Sequence, residues 1–532
     1  MTKTAIKNAS KGVYHVEFKD FDFNLANTTL TITGFELLPD TARYYQLLQH
    51  DSIGPNLFTL YVPEIKVRRI NLFSILTGKA LHVRDVILKK PYVEVTNHPE
   101  SVNDSTETFD FNNLFSGKFN SLKIREISLT DLKLKYQVHK EDAPPPFEVS
   151  RVNFRLFKLY IDSTTFNDPN KLLYTDDFEF KVFDYTYKLP DSLYTMKVKE
   201  VGLSQSGANI YLDSFEMIPR YSPYKFAKKV GIQTDRISLK SNRIEFKHVD
   251  MGALLNFQKF IAGTLKIEDI NLDVFRDKRY PLNLNRRPKK LHQAIKNLDF
   301  YLKLDTIKLV KGNIKYKEHG EESTEAGFLS FDNIYASIYG LTNDSILIKK
   351  DKVIADVQAQ IYGSTLLKAQ FRFDNGHPNG KYEFNGSLSS MDLTHFNKLI
   401  LPMAHINIES GKLQEASFFV YANDDHAEGT MTFLYDDLKI KVLDKDGETG
   451  LKQKITSFVA NTFVVKNSNP GNGGVRDGHI NYYVEENKSM FYFWGRIMLT
   501  GVASSIGISE KMMNKGKEEA SGKKENKMSK KS

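Results

Sequence analysis

One stretch of this chain occurs twice, and any fold the chain adopts has to accommodate the repetition. Tyr14–Pro39 reads YHVEFKDFDFNLANTTLTITGFELLP, and Tyr194–Pro219 reads YTMKVKEVGLSQSGANIYLDSFEMIP. At a constant offset of 180, Tyr14 meets Tyr194, Val16 meets Met196 and Phe18 meets Val198. Phe21 and Phe23 meet Val201 and Leu203, Leu30 and Ile32 meet Ile210 and Leu212, and Phe35, Leu37 and Pro39 meet Phe215, Met217 and Pro219. What is shared is apolar character at every second position, the period of a strand with one buried face.

The echo continues downstream. Leu81–Leu88 resembles Leu265–Leu272 after a small insertion, Lys123–Tyr136 returns at Lys303–Tyr316, and Phe147 has its counterpart in Phe328. A module of many strands repeated at a long fixed period points to duplication of an extended sheet. The expected organisation is an N-terminal remnant (1–13), a first β-repeat (14–193), a second (194–392) and a further β region (393–450). A helical, apolar segment (451–508) and a lysine-rich tail expected to be disordered (509–532) complete it. Helices are expected over Asp40–His50, Pro223–Val230, Met391–Pro402 and Gly450–Phe463, and Ser101–Thr108 reads as a polar loop.

Composition removes several function classes. Cysteine is absent, so there is no disulfide framework, thiolate metal site or cysteine nucleophile. The net charge is +9, but Glu510–Ser532 supplies +4 of it and the rest is spread evenly, so no basic stripe for nucleic acid stands out. The 37 Phe and 26 Tyr suit a β-rich chain. The 13 His show no metal-ligand spacing, Asp424-Asp425-His426 and Asp444-Lys445-Asp446-Gly447 read as turns, and Gly471–Gly474 lacks a phosphate-loop context. No catalytic residue, metal or cofactor is nominated. The chain is expected not to be an enzyme; a carbohydrate-active protein ranks last because no carboxylate pair stands out.

A sheet with this alternation has one wet and one apolar face. Few helices are available to cover the apolar one, so either a second sheet closes over it or it stays open as a groove. Periodicity does not separate the two. The most apolar stretch is Met490–Ile508, with Phe491, Phe493, Trp494, Met498 and Leu499 early and Arg496 inside it. It reads first as a helix packed on the sheet or lying at a membrane interface, and second as a membrane span; those five residues are the membrane-contact candidates.

Leu393–Leu443 is similar to the C-terminal region of AsmA-family proteins of Gram-negative bacteria. The resemblance rests on the helix ending at Pro402, the Ile408–Gly411 turn, Gly429 and the strand Tyr435–Leu438. Val274–Pro281, Ile314–Glu318, Ser457–Val465 and the final aromatic-rich helix resemble the family as well. The resemblance implies an elongated, twisted antiparallel β-groove lined by apolar residues, bridging the periplasm from an inner-membrane anchor. It also implies a part in moving phospholipid and in outer-membrane biogenesis. Members usually begin with a membrane-spanning helix, whereas Met1–Lys11 is short and polar, so the protein is expected either to begin bare or to continue from an anchor ahead of this sequence. The candidate groove residues are Val16, Phe18, Ile32, Val198 and Leu212, and the expected partners are phospholipid acyl chains and a membrane. The alternative is a periplasmic scaffold that supports assembly of outer-membrane proteins through strand edges.

Overall fold

The computed structural model describes residues 3–50, 53–77, 80–99, 120–140, 142–143, 146–162, 172–285, 287–443 and 465–508. Within them the chain is mainly β: 23 strands are joined by hydrogen bonds in one mixed sheet, accompanied by short helices. The chain divides into two compact units, a first of residues 1–186, 197–213 and 247–258, and a second of residues 187–196, 214–246 and 259–532. The expected helix over Gly450–Phe463, the loop Ser101–Thr108 and the tail after Ser509 lie outside the described residues.

A short helix α1 (Lys3–Ala9) precedes β1 (Tyr14–Glu17), β2 (Asp20–Asn24), β3 (Thr29–Pro39), α2 (Thr41–Gln49), β4 (Asn56–Arg68) and α3 (Leu72–Leu76). β5 (Leu81–Lys89), β6 (Tyr92–Asn97), β7 (Ser121–Val138), β8 (Phe147–Asp162) and β9 (Asp177–Lys188) complete the first copy. The second copy has β10 (Tyr194–Ser204), β11 (Asn209–Pro219), α4 (Pro223–Val230), β12 (Asp235–Val249), α5 (Met251–Phe257), β13 (Lys259–Glu268) and β14 (Asn271–Asp277). It continues with α6 (Leu291–Lys296), β15 (Tyr301–His319), β16 (Ala326–Thr342), α7 (Leu347–Lys350) and β17 (Val353–Ile361). The remainder is β18 (Thr365–Phe373), β19 (Tyr382–Leu388), β20 (Met391–Asp392), α8 (Asn397–Ala404), β21 (Ile406–Ala422), β22 (His426–Val442), β23 (Asp477–Tyr483) and α9 (Met490–Ser505). The helix expected over Met391–Pro402 therefore starts later, because Met391 and Asp392 pair with β21 and a 3-10 turn at Leu393–Phe396 intervenes.

The duplication extends to strand pairing. β4 lies antiparallel to both β5 and β6, and β7 runs parallel to both. β5 and β6 are thus two short strands laid in line between two long ones. Lys90, at φ +49°, and Pro91, which has no N–H to donate, interrupt that line. In the second copy β14 is antiparallel to β12, and β13 and β14 are both parallel to β15, with Asp269 (φ +50°) at the break. These four parallel pairings are where the sheet departs from the wholly antiparallel arrangement read from sequence. A parallel neighbour requires a crossover segment that alternation does not reveal.

Backbone irregularities recur at the same places. Left-handed residues occur in pairs 180 apart at Gly12 and Ser192, Thr28 and Ala208, Gly34 and Ser214, and Asp131 and Lys311. Residue 34 shows what such a position does. The alternation skips from Ile32 to Phe35, and the left-handed residue fills the gap. Ile32 then faces Ile65 and Phe35 faces Val62, so apolar meets apolar on both sides of the irregularity. The tyrosines that open each copy have matching partners: the Tyr14 hydroxyl accepts the Phe58 N–H at 3.0 Å and the Tyr194 hydroxyl accepts the Ile237 N–H at 3.2 Å. Helix starts match too, with Asn71 accepting the Ser74 N–H at the head of α3 and Asp250 accepting the Ala253 N–H at the head of α5.

Register corrects two of the sequence alignments. Val83, Val86 and Leu88 neighbour Ile124, Ile127 and Leu129 as Ala262, Leu265 and Ile267 neighbour Leu304, Ile307 and Leu309. No insertion is needed, and Leu265–Leu272 is not the counterpart of Leu81–Leu88; the same apolar spacing simply recurs five residues later. Tyr136 faces Phe147 and Tyr316 faces Leu329, so Leu329 rather than Phe328 is equivalent to Phe147. A one-residue slip of this kind moves a side chain to the other face.

Candidate functional site

In the first unit, register sets apolar side chains in rows that cross the strands. Leu30, Val67, Val86, Ile127, Leu156 and Phe178 are successive neighbours from β3 to β9. Ile32, Ile65, Leu88, Leu129, Phe154 and Phe180 form the next row. Val16, Leu37, Leu60, Val93, Leu134 and Val149 form a third. The first two rows begin on β2 at Phe23 and Phe21, which are 36% and 61% exposed. Val16, Val149 and Phe178 are buried, whereas the aliphatic residues in the middle of each row are only half-buried. The clusters around Val83, Ile124 and Leu159 and around Val149, Val152 and Val182 contain strand and loop side chains but none from a helix. Side chains of α1 and α2 pack beside Leu37 at the head of the third row, but among the described residues the middles of the first two rows have no helical cover.

Several residues that alternate with the rows are charged and paired. Glu64 binds Lys66 at 3.0 Å and Lys89 at 2.7 Å, and Glu94 binds Lys135 at 2.9 Å. Hydrogen bonding from Lys89, then Lys66, holds the Glu64 carboxyl below the usual range, and Lys135 does the same for Glu94. This face meets water without difficulty.

Helix covers the comparable face in the second unit. There a row runs Leu265, Ile307, Ile338, Ala355, Phe371, Phe384, Val420, Gly429 and Ile480. The 3-10 turn and α8 supply Phe396 and Ile400 to the core on these strands, and α9 supplies Phe493, Trp494, Ile497 and Val502. Ser489 caps α9 by accepting the Tyr492 N–H at 3.3 Å. Two glycines allow the helix to approach: a Cβ on Gly478 would stand 2.4 Å from the Gly501 carbonyl oxygen. Trp494 donates from Nε1 to the Tyr382 hydroxyl at 3.0 Å, and its ring lies 4.9 Å from that of Phe371, tilted by 33°. Burial, above all, raises the Tyr382 hydroxyl well above its ordinary pKa.

The five groove candidates all lie in the first unit and differ in exposure. Val16 and Ile32 belong to the first unit's rows, Val16 buried and Ile32 half-buried. Phe18 falls between β1 and β2, 37% exposed and edge-on to Phe21. Val198 is buried and Leu212 half-buried. The residues that dominate the open rows, such as Ile65, Leu88 and Leu129, were not singled out, since nothing but register reveals them as neighbours. Of the membrane-contact candidates, only Phe491 and Leu499 point outward, at 79% and 53% exposure. Phe493, Trp494 and Met498 instead pack on the sheet, because α9 turns that flank toward Phe371, Tyr482 and their neighbours. No described helix is long and apolar enough to cross a membrane. No known family model and no curated protein matches the sequence.

Proposed function

We propose that the uncovered apolar face of the first unit binds lipid acyl chains, and that the protein carries phospholipid along a β-groove between inner and outer membranes. In that role it would sit in the periplasm, anchored at the inner membrane in its full-length form, and contribute to outer-membrane biogenesis and integrity. The supporting observation is the set of six-strand rows whose middles lack cover among the described residues, whereas helices pack on the comparable row within the second unit. Strands are spaced about 4.8 Å apart, so a row from β3 to β9 extends roughly 24 Å, long enough to accept an extended hydrocarbon chain.

The physics favours sliding as well as binding. Full burial of a methylene is worth about 0.8 kcal/mol, so an acyl chain losing half its contact with water gains about 0.4 kcal/mol per CH2, or about 4 kcal/mol over ten. Because rows repeat, a chain moving from one to the next exchanges equivalent contacts and keeps its buried area nearly constant. A charged headgroup can stay in water throughout.

The test is native mass spectrometry of gently purified protein, with lipid extraction from the same sample. Phospholipid should be recovered from the wild type and lost from an Ile65→Asp, Leu88→Asp, Leu129→Asp variant that retains its far-ultraviolet circular dichroism. Lipid-free wild-type protein, folded and monomeric, would eliminate the proposal.

A further inference from the structure

The second unit holds a recess that differs in chemistry from the apolar rows. It lies where the turn between β18 and β19, the loop between β21 and β22, the segment entering α6 and the head of α9 converge, and it is open to solvent. Its floor is apolar, built from Phe373, Leu291, Met490 and Phe493. Its polar lining is rich in donors. Asn375 is 8% exposed, and its side-chain amide makes no hydrogen bond among the described residues. Tyr382, equally buried, uses its hydroxyl oxygen to accept from Trp494 and so retains an O–H to donate. Both side chains line the same recess.

Two ammonium groups join them. Lys290 spends one donor on the Asp424 carbonyl oxygen at 3.2 Å, leaving two. Lys488 is half-buried and forms no ion pair among the described residues; the Tyr492 ring lies 5.5 Å from its Nζ. Burial lowers its pKa, and Lys278 and Arg276 nearby lower it further against the opposing pull of Glu485 and Glu318. The acids around the recess have their own partners. Asp424 lies 3.4 Å from the His292 ring, whose pKa burial lowers, and Glu485 accepts the hydroxyls of Tyr482 at 2.5 Å and Tyr492 at 3.1 Å. The wall is closely fitted: Gly380 has φ +54°, and a Cβ there would stand 2.4 Å from the His292 ring.

We infer that this recess is a subsite for a phosphate ester, held by Lys290 and Lys488 and by the Asn375 amide and Tyr382 hydroxyl. A phosphate supplies several acceptor oxygens and a negative charge, which suit these donors and the two ammonium groups. The apolar floor suits the carbon-bearing side of the ester. The inference relies on the lipid reading for the source of the ester and not for its charge. A phospholipid headgroup and a soluble phosphate ester share the chemistry.

The experiment separates them. Binding of dihexanoyl phosphatidic acid, dihexanoylglycerol and glycerol 3-phosphate to the full chain is measured by calorimetry, for the wild type, Lys290→Gln/Lys488→Gln and Lys290→Arg/Lys488→Arg. Trp494 emission, which reports α9 docking, checks that each variant is folded around the recess. The expected result is phosphatidic acid binding at least tenfold tighter than dihexanoylglycerol. The Gln pair should abolish that preference and leave dihexanoylglycerol unchanged, and the Arg pair should largely restore it. Glycerol 3-phosphate binding that falls in the Gln pair, with neither lipid bound, supports the subsite with a soluble ester and refutes the lipid reading. Equal binding of phosphatidic acid and dihexanoylglycerol without glycerol 3-phosphate binding, or phosphate affinities unchanged in the Gln pair, overturns the inference.

Discussion

Gly478→Ala should undock the helix that closes the second unit. The added Cβ would meet the Ser505 Oγ at 2.3 Å and the Gly501 carbonyl oxygen at 2.4 Å. Ser505 can rotate, but the carbonyl belongs to α9 itself, so the helix must move by at least 0.6 Å to reach the 3.0 Å below which real Cβ contacts essentially never occur. A displacement of that size forfeits a quarter to a half of each dispersion contact it opens, and overpacking of this kind costs about 1–3 kcal/mol. The opening equilibrium of α9 should therefore rise roughly 5- to 150-fold. The chain has a single tryptophan, and it lies on this helix against Phe371 and Tyr382. Trp494 emission should shift to the red, and the amides of 493–505 should exchange faster with solvent deuterium. Gly495→Ala is the matched control, since no atom lies within 4 Å of its Cβ position and alanine favours helix by up to about 1 kcal/mol. Unchanged emission and exchange in Gly478→Ala, or the same response in Gly495→Ala, would refute the close approach of these two glycines.

Three further outcomes are expected. Tyr14→Phe should accelerate exchange of the Phe58 amide by an amount equivalent to about 1–3 kcal/mol, and Tyr194→Phe should affect Ile237 less, because Tyr194 is only half-buried and water can replace its hydroxyl; equal responses would contradict this. Asp277 is 2% exposed and held bidentately by Arg279, which lowers its carboxyl pKa. Its stabilisation is therefore complete above the unfolded pKa of about 3.9 and lost as pH falls through the lower folded value, so Asp277→Asn should cost about 1–3 kcal/mol at neutral pH and flatten acid unfolding below pH 4. Val86→Asp on the open row should cost about 1 kcal/mol in chemical denaturation, whereas Val420→Asp, at a position with 0% exposure, should cost about 3 kcal/mol or more; similar costs would mean that the first face is covered after all.

Local patterns in the sequence carried much of this architecture. The offset of 180 placed the two copies, and the helix over Pro223–Val230 begins and ends where proline, a helix former's periodicity and Gly231 place it. The skipped beat between Ile32 and Phe35 was visible as a change of phase, although only the backbone shows a left-handed residue filling it. Register was not legible. Val86 and Ile127 become neighbours through a parallel crossing of segments far apart in the chain, and no periodicity records that. Neither was the choice between an open and a closed face, because Leu129 and Phe384 alternate in the same way while only Phe384 lies in the core beneath α9. The recess was hidden for a related reason: Asp424 reads as a turn residue, and its neighbours Lys290 and Lys488 come from distant segments.

The most direct test of the open face is site-specific photo-crosslinking in cells, with a benzophenone side chain placed singly at Leu88, Leu129, Lys66 or Ser128. Leu88 and Leu129 belong to the second apolar row, while Lys66 and Ser128 alternate with row residues on their own strands. Lipid adducts at Leu88 and Leu129 but not at Lys66 or Ser128, identified by mass spectrometry of the purified protein, are the predicted result. Protein adducts alone, or lipid adducts with no preference between the two pairs, would contradict it.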